Sequence, residues 1–284
     1  MIQPRRHSSL RIGFFRAVER AAALLGGRRL YHRMHLAPGR LLVRRERLEL
    51  EGLPTALRGF KIAQLSDVHA GPFLAGGDLD GVLHALEDEA PDVVCWTGDY
   101  VVHGPENMMP ALDELCRCVG RRATFAVFGN HDYKGRRELK ISEALMASGW
   151  QFLRNGGASV EVEGARVAFG GVEDLEEGKS VDFDRGSETF SGADVRVGLC
   201  HHPRGAPEFI QRGAHLVLSG HSHGTQVDLP WLRRLGPPHP GLRVRLGGST
   251  LVLSRGLGVI GVPLRIGAPA EIVVVELASA GGGS

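Results

Sequence analysis

Five apolar runs punctuate the middle of the chain, and each ends in a small cluster of Asp, Asn or His. Phe60-Lys61-Ile62-Ala63-Gln64-Leu65 leads into Ser66-Asp67-Val68-His69, and Asp92-Val93-Val94-Cys95-Trp96 into Thr97-Gly98-Asp99. Thr124-Phe125-Ala126-Val127-Phe128 leads into Gly129-Asn130-His131-Asp132, and the run from Asp194 to Cys200 into His201-His202-Pro203. The last, Leu216-Val217-Leu218, runs into Ser219-Gly220-His221-Ser222-His223-Gly224. Apolar runs separated by helical patterns predict a largely parallel sheet covered by helices. Ligands of such sheets bind beyond the carboxyl ends of the strands, where all five polar clusters fall.

The flanking pattern fills in the rest. Leu41 to Leu50 reads as a strand entering the fold, followed by a turn at Gly52-Leu53-Pro54, and Gly135 to Ala147 as a helix. Ser159-Val160-Glu161-Val162 and Arg166-Val167-Ala168-Phe169 alternate as a hairpin about Gly164, with Ala165 as the other turn candidate. The polar stretch Glu173 to Gly192, with Glu173, Asp174, Glu176 and Glu177 close together, reads as a surface loop, with a second acidic metal site as the minor alternative, and Glu271 to Leu277 as a final strand. The chain has 284 residues, 43% of them hydrophobic, enough for a sizeable core. The expected organisation is a basic amphipathic helical segment over residues 1–40, one catalytic unit over 41–278, and a flexible Gly/Ser-rich tail over 279–284.

Charge changes the picture at the amino-terminal end. Residues 1–50 hold 12 arginines against Glu19, Glu46 and Glu49, a balance of +9, which leaves −7 for the remainder of a chain whose net charge is +2. From Ser8 to Leu25, Leu10, Phe14, Ala17, Val18, Ala21, Leu24 and Leu25 recur at helical spacing, with Arg11, Arg16 and Arg20 between them. Such a helix over residues 8–34 can lie on an anionic membrane surface, and it can equally pack on the acidic remainder of its own chain. No stretch reaches the roughly 18 apolar residues of a membrane span, and the short run Ala21 to Leu25 does not make a secretory signal. No nucleic-acid partner is expected, because no stacking platform or recognition motif accompanies the arginines. No obligate protein partner is evident either. Cys95, Cys116, Cys118 and Cys200 form no C-x-x-C pair, which fits a reducing, cytoplasmic setting, with the inner membrane face as the peripheral alternative.

The candidate chemistry lies in the strand-end clusters. Two imidazoles one residue apart, His221 and His223, are bracketed by Gly220 and Gly224, where the chain can bend to bring both rings to one point or to two adjacent metals. Alone, an H-x-H is more often a pair of loop histidines. In order, however, the clusters read D-x-H, G-D, G-N-H-D, H-x-P and G-H-x-H, and the stretch Phe60 to Gly224 closely resembles the calcineurin-like metallophosphoesterase family. The Gln226 that follows, and the segments Leu251 to Gly258 and Pro263 to Arg265, are similar to its bacterial phosphodiesterase branch with a G-H-[ST]-H-G motif. Thr225 stands where many members have a second glycine.

That resemblance implies an α/β sandwich of two mixed sheets flanked by helices, with a dinuclear metal centre at the strand carboxyl ends. It places Asp67, His69 and His223 on a first metal, Asn130, His201 and His221 on a second, and Asp99 between them. Imidazole, carboxylate and amide donors together suit Mn²⁺, Fe²⁺ or Zn²⁺ better than an oxygen cage would. Two such ions acidify a bridging water to hydroxide for in-line attack on phosphorus. His131 would protonate the leaving oxygen or stabilise charge on the phosphoryl group. Asp132 would orient that ring, or cap the helix that follows. The family pattern selects His201 over His202, leaving His202 as a substrate contact or a loop residue, while Arg255 would either reach a substrate phosphate or sit in solvent. The implied function is hydrolysis of a phosphodiester or pyrophosphate. Relatives in this branch that cleave UDP-2,3-diacylglucosamine make that lipid-linked nucleotide one alternative, and a noncatalytic scaffold that kept the fold is the alternative of another class.

Overall fold

The computed structural model describes residues 9–102, 108–134, 138–226 and 242–280. Residues 1–8 and 281–284, which include parts of the expected amino-terminal segment and tail, lie outside these, as do the first residues of the helix expected from Gly135.

The chain begins with helices α1 (Ser9–Leu24) and α2 (Gly27–Tyr31) and then enters strand β1 (Leu42–Leu50). A βαβ succession follows: β2 (Lys61–Leu65), α3 (Asp80–Glu89), β3 (Val93–Trp96), α4 (Met108–Leu115) and β4 (Ala123–Ala126). Short α5 (Asn130–Tyr133) and α6 (Glu138–Met146) lead to β5 (Trp150–Phe152). The second half comprises β6 (Gly156–Val162), β7 (Ala165–Gly171), α7 (Phe183–Gly186), β8 (Val195–Leu199), α8 (Ala206–Gln211) and β9 (Leu216–Ser219). It closes with β10 (Arg243–Leu246), β11 (Ser249–Leu253) and β12 (Glu271–Ser279).

These strands form two mixed sheets of six, ordered β1-β12-β2-β3-β4-β5 and β10-β11-β9-β8-β7-β6. In the first, β2, β3, β4 and β5 run parallel and β12 pairs antiparallel with β2. In the second, β7, β8, β9 and β11 run parallel, and antiparallel β6 and β10 form the edges. The five apolar runs are therefore shared between two sheets, three in the first and two in the second. A strand buried on both faces reads as a continuous apolar run whichever sheet owns it.

Alternation along each strand sorts the core into layers. Ile62, Val93, Cys95, Phe125 and Val275 meet Val167, Phe169, Val197, Leu216 and Leu218 between the sheets. Ala63, Leu65, Val94, Trp96 and Ala126 face outward, under a helical layer that includes Leu86, Leu112 and Leu145. Phe209 and Ala206 cover Ala168, Val217 and Leu253 on the far side of the second sheet. The result is a four-layer α/β/β/α sandwich. Gln64, fully buried between the sheets, donates to Ser219 O at 2.9 Å and so ties β2 to β9 near the strand ends.

Tyr31 and Leu36 of the amino-terminal segment are fully buried in the outer core layer, and Tyr31 donates its hydroxyl to Leu257 O. Arg28 pairs with Asp78 at 2.6 Å. The hairpin turns at Glu163 and Gly164, both with positive φ (50° and 84°), so that Ala165 already belongs to β7. The stretch Glu173 to Gly192 is not the plain surface loop its polarity predicts. It carries α7, buries Phe190 and sinks Asp174 to 1% exposure, because Asp174 Oδ1 caps the turn through the N–H groups of Glu176 and Glu177.

Candidate metal centre

The carboxyl ends of β2, β3, β8 and β9 converge, and the turns that leave them carry the candidate ligands. Leaving β2, Val68 is buried in the outer core layer. Asp67 and His69 on either side of it turn into the site, with His69 Nε2 at 3.8 Å from Asp67 Oδ1. The turn is fastened to the one after β3 by Asp67 N→Gly98 O at 2.9 Å and His69 N→Asp99 O at 3.0 Å. Asp67, His69, Asp99, His221 and His223 all have positive φ, between 48° and 69°. Left-handed backbone is uncommon for residues with a Cβ and clusters where function over-determines the geometry. Glycines make room: a Cβ on Gly220 would lie 2.0 Å from Ser66 Oγ and 2.5 Å from Asp67 Oδ2. Gly220 is therefore required for close approach, whereas at Gly224 (φ 57°) a bend is also needed.

The donor atoms face one another. His69 Nε2 lies 3.0 Å from His223 Nε2, which is 3.5 Å from Asp67 Oδ1. His201 Nε2 lies 3.2 Å from His221 Nδ1 and 3.3 Å from Asp99 Oδ2. The same Asp99 oxygen is 3.5 Å from His69 Nε2, so one carboxylate atom stands between the two groups of imidazoles. Asp99 Oδ1 is held by the backbone N–H of His131 at 2.8 Å. His201 is oriented from behind, its Nδ1 2.7 Å from Thr97 O, which turns Nε2 toward the other donor atoms. Asn130, at the start of α5, has a buried Oδ1 without a hydrogen-bond partner, while its amide nitrogen reaches Glu176 Oε2 at 3.5 Å.

Electrostatics match this geometry. Burial alone would raise the Asp67 pKa, yet the imidazoles of His223, His69 and His201 hold it below the ordinary carboxylate value. Asp99 is likewise held well below it, against burial, chiefly by His201. Burial pushes His223 down to about 3 and also lowers His221. Ionised carboxylates among neutral imidazoles are the forms that bind a cation. His201 is the exception: against burial, Asp99 pushes it up to about 10.

The Asp132 carboxylate bonds to backbone rather than to the neighbouring His131 ring. Fully buried, it accepts at Oδ2 from the N–H groups of Asp99 and Gly129, both at 2.9 Å, and at Oδ1 from Tyr100 at 2.9 Å and Val101 at 3.4 Å. It caps α5 through Gly129 and, beyond a cap, clamps the Asp99 turn. Burial and then the Asp99 charge push its pKa up to about 8, against the pull of the backbone N–H groups. Donors on both oxygens suit the ionised form. His131 itself stands edge-on to His69, ring centroids 4.9 Å apart.

Two further residues depart from expectation. Arg255 is not a strand-end arginine in solvent: its guanidinium pairs at 2.8 Å with Glu271, which is fully buried and needs a cation. His202 is buried, tilted over the His221 ring at 4.3 Å, with Nε2 3.7 Å from Glu176 Oε1. Glu176, from the stretch read as a surface loop with a second acidic metal site as its minor alternative, is not expected from the sequence to face the strand-end histidines. Its only signal is its place in the acidic run after β7, and with His202 and His221 it forms a third group of donor atoms at the centre.

Convergent, partly orphaned donors of this kind fit divalent cations. The order of the motifs decides which family built them: residues 60–225 match the calcineurin-like phosphoesterases. The chain belongs to that family. It is 28% identical over 279 residues to the uncharacterised metallophosphoesterase YkuE of Bacillus subtilis, covering 94% of this chain and 96% of that protein. An uncharacterised metallophosphoesterase of Aquifex aeolicus is 30% identical over 256 residues, covering 87% and 95%. Among solved structures, the NAD nucleotidase of Haemophilus influenzae aligns with a TM-score of 0.50 at 15% identity. That alignment covers 69% of this chain and 45% of the other, and it shows the shared calcineurin-like fold. The metallophosphoesterase sandwich thus supplies the strand ends, and this chain's own turns supply the candidate ligands.

Proposed function

We propose that the protein hydrolyses a phosphodiester or pyrophosphate at a dinuclear centre held by Asp67, His69 and His223 on one side and Asn130, His201 and His221 on the other. The observation that carries this reading is Asp99 Oδ2, which faces His201 Nε2 at 3.3 Å and His69 Nε2 at 3.5 Å and so suits a ligand shared by two ions. When bound, divalent ions such as Mn²⁺, Fe²⁺ or Zn²⁺ would lower the pKa of a shared water and neutralise phosphoryl oxygens. The chain's own residues do the rest. Thr97 O and the His131 N–H fix the His201 ring and the Asp99 carboxylate, so neither has to reorganise. His131 stands beside the ligands with its ring partly open to solvent, the place from which a leaving oxygen can be protonated.

The test joins metal analysis to hydrolysis of a generic aryl phosphodiester. Purified protein is expected to hold Mn, Fe or Zn and to turn over. Asp99→Ala should lose both metal and activity. His131→Ala should keep the metal and slow turnover by ~10²–10⁴-fold. Protein that holds none of these metals and shows no turnover would replace this reading with the noncatalytic scaffold.

A further inference from the structure

The loop that follows the metal-site turns presents a ridge of aliphatic side chains to solvent. Ile260, Val262, Leu264 and Ile266 are exposed at 37%, 45%, 43% and 37%, alternating with Gly261, Pro263 and a buried Arg265. Such alternation keeps four branched side chains outward while Arg265 is spent inside, donating to Tyr31 Oη, Ala268 O and Gly258 O. A single exposed leucine is ordinary, but four in one seven-residue loop form a patch that calls for a partner.

The ridge is indexed to the metal centre. Gln226, three residues beyond His223, donates its amide to Ile260 O and Val262 O at 3.3 and 3.2 Å. It accepts from Ile260 N at its side-chain oxygen and from Ile266 N at its backbone oxygen. At the near end, Leu257 N and Gly258 N bond to Ser66 O and Asp67 O. Both metal-site turns therefore fix where the ridge stands.

The ridge also joins the amino-terminal helices. Gly261 N donates to Glu19 Oε1 at 3.0 Å, and Pro263 Cγ packs where a Cβ on Gly27 would lie 3.0 Å away. On the helical side of this contact Leu24 and Leu25 are each 88% exposed, and Arg20, Arg29 and Arg33 are exposed. No acidic residue occurs from Arg20 to Arg45 or from Arg255 to Ala270, in a chain that is otherwise acidic outside its first fifty residues. The acids that do face these helices, Glu19, Asp78 and Asp80, are engaged by Gly261, Arg28 and His32.

We infer that this face docks on an anionic lipid bilayer: the Ile260–Ile266 ridge and Leu24-Leu25 enter the acyl boundary, and the arginines lie among the headgroups. Aliphatic tips with flanking guanidinium groups match that interface, whereas a second copy of the same face would set arginine against arginine. Docking this way holds the metal-site turns at a fixed position relative to the lipid surface.

Flotation of the full-length protein with vesicles tests this independently of catalysis. The protein should float with vesicles of phosphatidylglycerol mixed into phosphatidylcholine and stay behind with phosphatidylcholine alone. Val262→Ser with Leu264→Ser should lower its partition onto the anionic vesicles by about tenfold or more, with turnover of a soluble aryl phosphodiester retained. As a second readout, Val262→Trp should show a blue-shifted emission on the same vesicles. Equal flotation of the serine variant, failure of the parent protein to float, or an emission of the Val262→Trp variant that does not move would overturn the docking face. A dimer in solution that the serine variant splits, without flotation, would replace the membrane with a second copy. Flotation by a protein without turnover would support the docking and count against the hydrolytic reading alone.

Discussion

Replacing Asp132 by Asn separates a structural clamp from a catalytic partner with the loss of one oxygen. Each carboxylate oxygen of Asp132 accepts two backbone N–H groups: those of Asp99 and Gly129 at 2.9 Å on one side, and Tyr100 and Val101 at 2.9 and 3.4 Å on the other. Whichever way the amide turns, its NH₂ faces two donors. Each buried backbone N–H left without an acceptor costs about 1–3 kcal/mol, so orphaning two and turning an NH₂ toward them costs roughly 3 kcal/mol or more in this fully buried site. For a chain of this size that is a fall in Tm of roughly 6–12 °C. Because the clamp holds the Asp99 turn, bound metal should fall with stability. The assay is thermal unfolding followed by circular dichroism, with metal content measured on the same sample. An Asp132→Asn protein that melts with the parent and holds its metal, yet has lost turnover, would refute the clamp and restore Asp132 as the partner of His131.

Two other perturbations probe the same architecture. Gly129→Ala places a Cβ 2.2 Å from Asp99 Oδ1 and should cost about 1–3 kcal/mol in thermal unfolding while depleting bound metal; normal metal content would mean the turn can yield. Glu176→Ala removes the carboxylate facing the Asn130 amide at 3.5 Å, so that the carbonyl is no longer held toward the centre. It should weaken metal retention in a chelator titration by about 10–100-fold without altering Tm of the metal-free protein, and unchanged retention would deny Glu176 an orienting role.

The strand ends were legible because an apolar run followed abruptly by Asp, Asn or His has few other uses. Which sheet each strand joins was not, since Val93-Val94 between helices and sheet partners looks the same from either side. Clusters belonging to one turn, such as Asp67 with His69, could be read directly, but contacts made across turns could not. Glu176 meets Asn130 and His202 only because the stretch after β7 folds back over the strand ends. Arg255 read equally well as an arginine in solvent until Glu271, buried at the start of β12, claimed it. Asp132 follows His131 in sequence, yet the first turn of α5 sends its carboxylate to the preceding backbone. Adjacency in a tight turn says little about where side chains point.

The left-handed backbone at the ligand turns explains why these clusters need such rigid strands in front of them. Five candidate ligands with positive φ cost about 1 kcal/mol or more apiece, so together they consume an amount comparable with the net stability of a typical domain. That cost is tolerable only where neighbours leave no alternative. Here Asp67 is fixed through its N–H by Gly98, through its carbonyl by Gly258 and through its carboxylate by the backbone N–H of His221. Each bond joins a different turn, so relaxing one ligand to ordinary backbone would unfasten two or three others. The turns therefore hold the donor atoms 3.0–3.8 Å apart through bonds the chain makes with itself, and binding energy need not be spent on bending the chain. An H-x-H on a relaxed loop would have to supply that bend at the moment of binding, which is the physical difference between His221-Ser222-His223 and a pair of surface histidines.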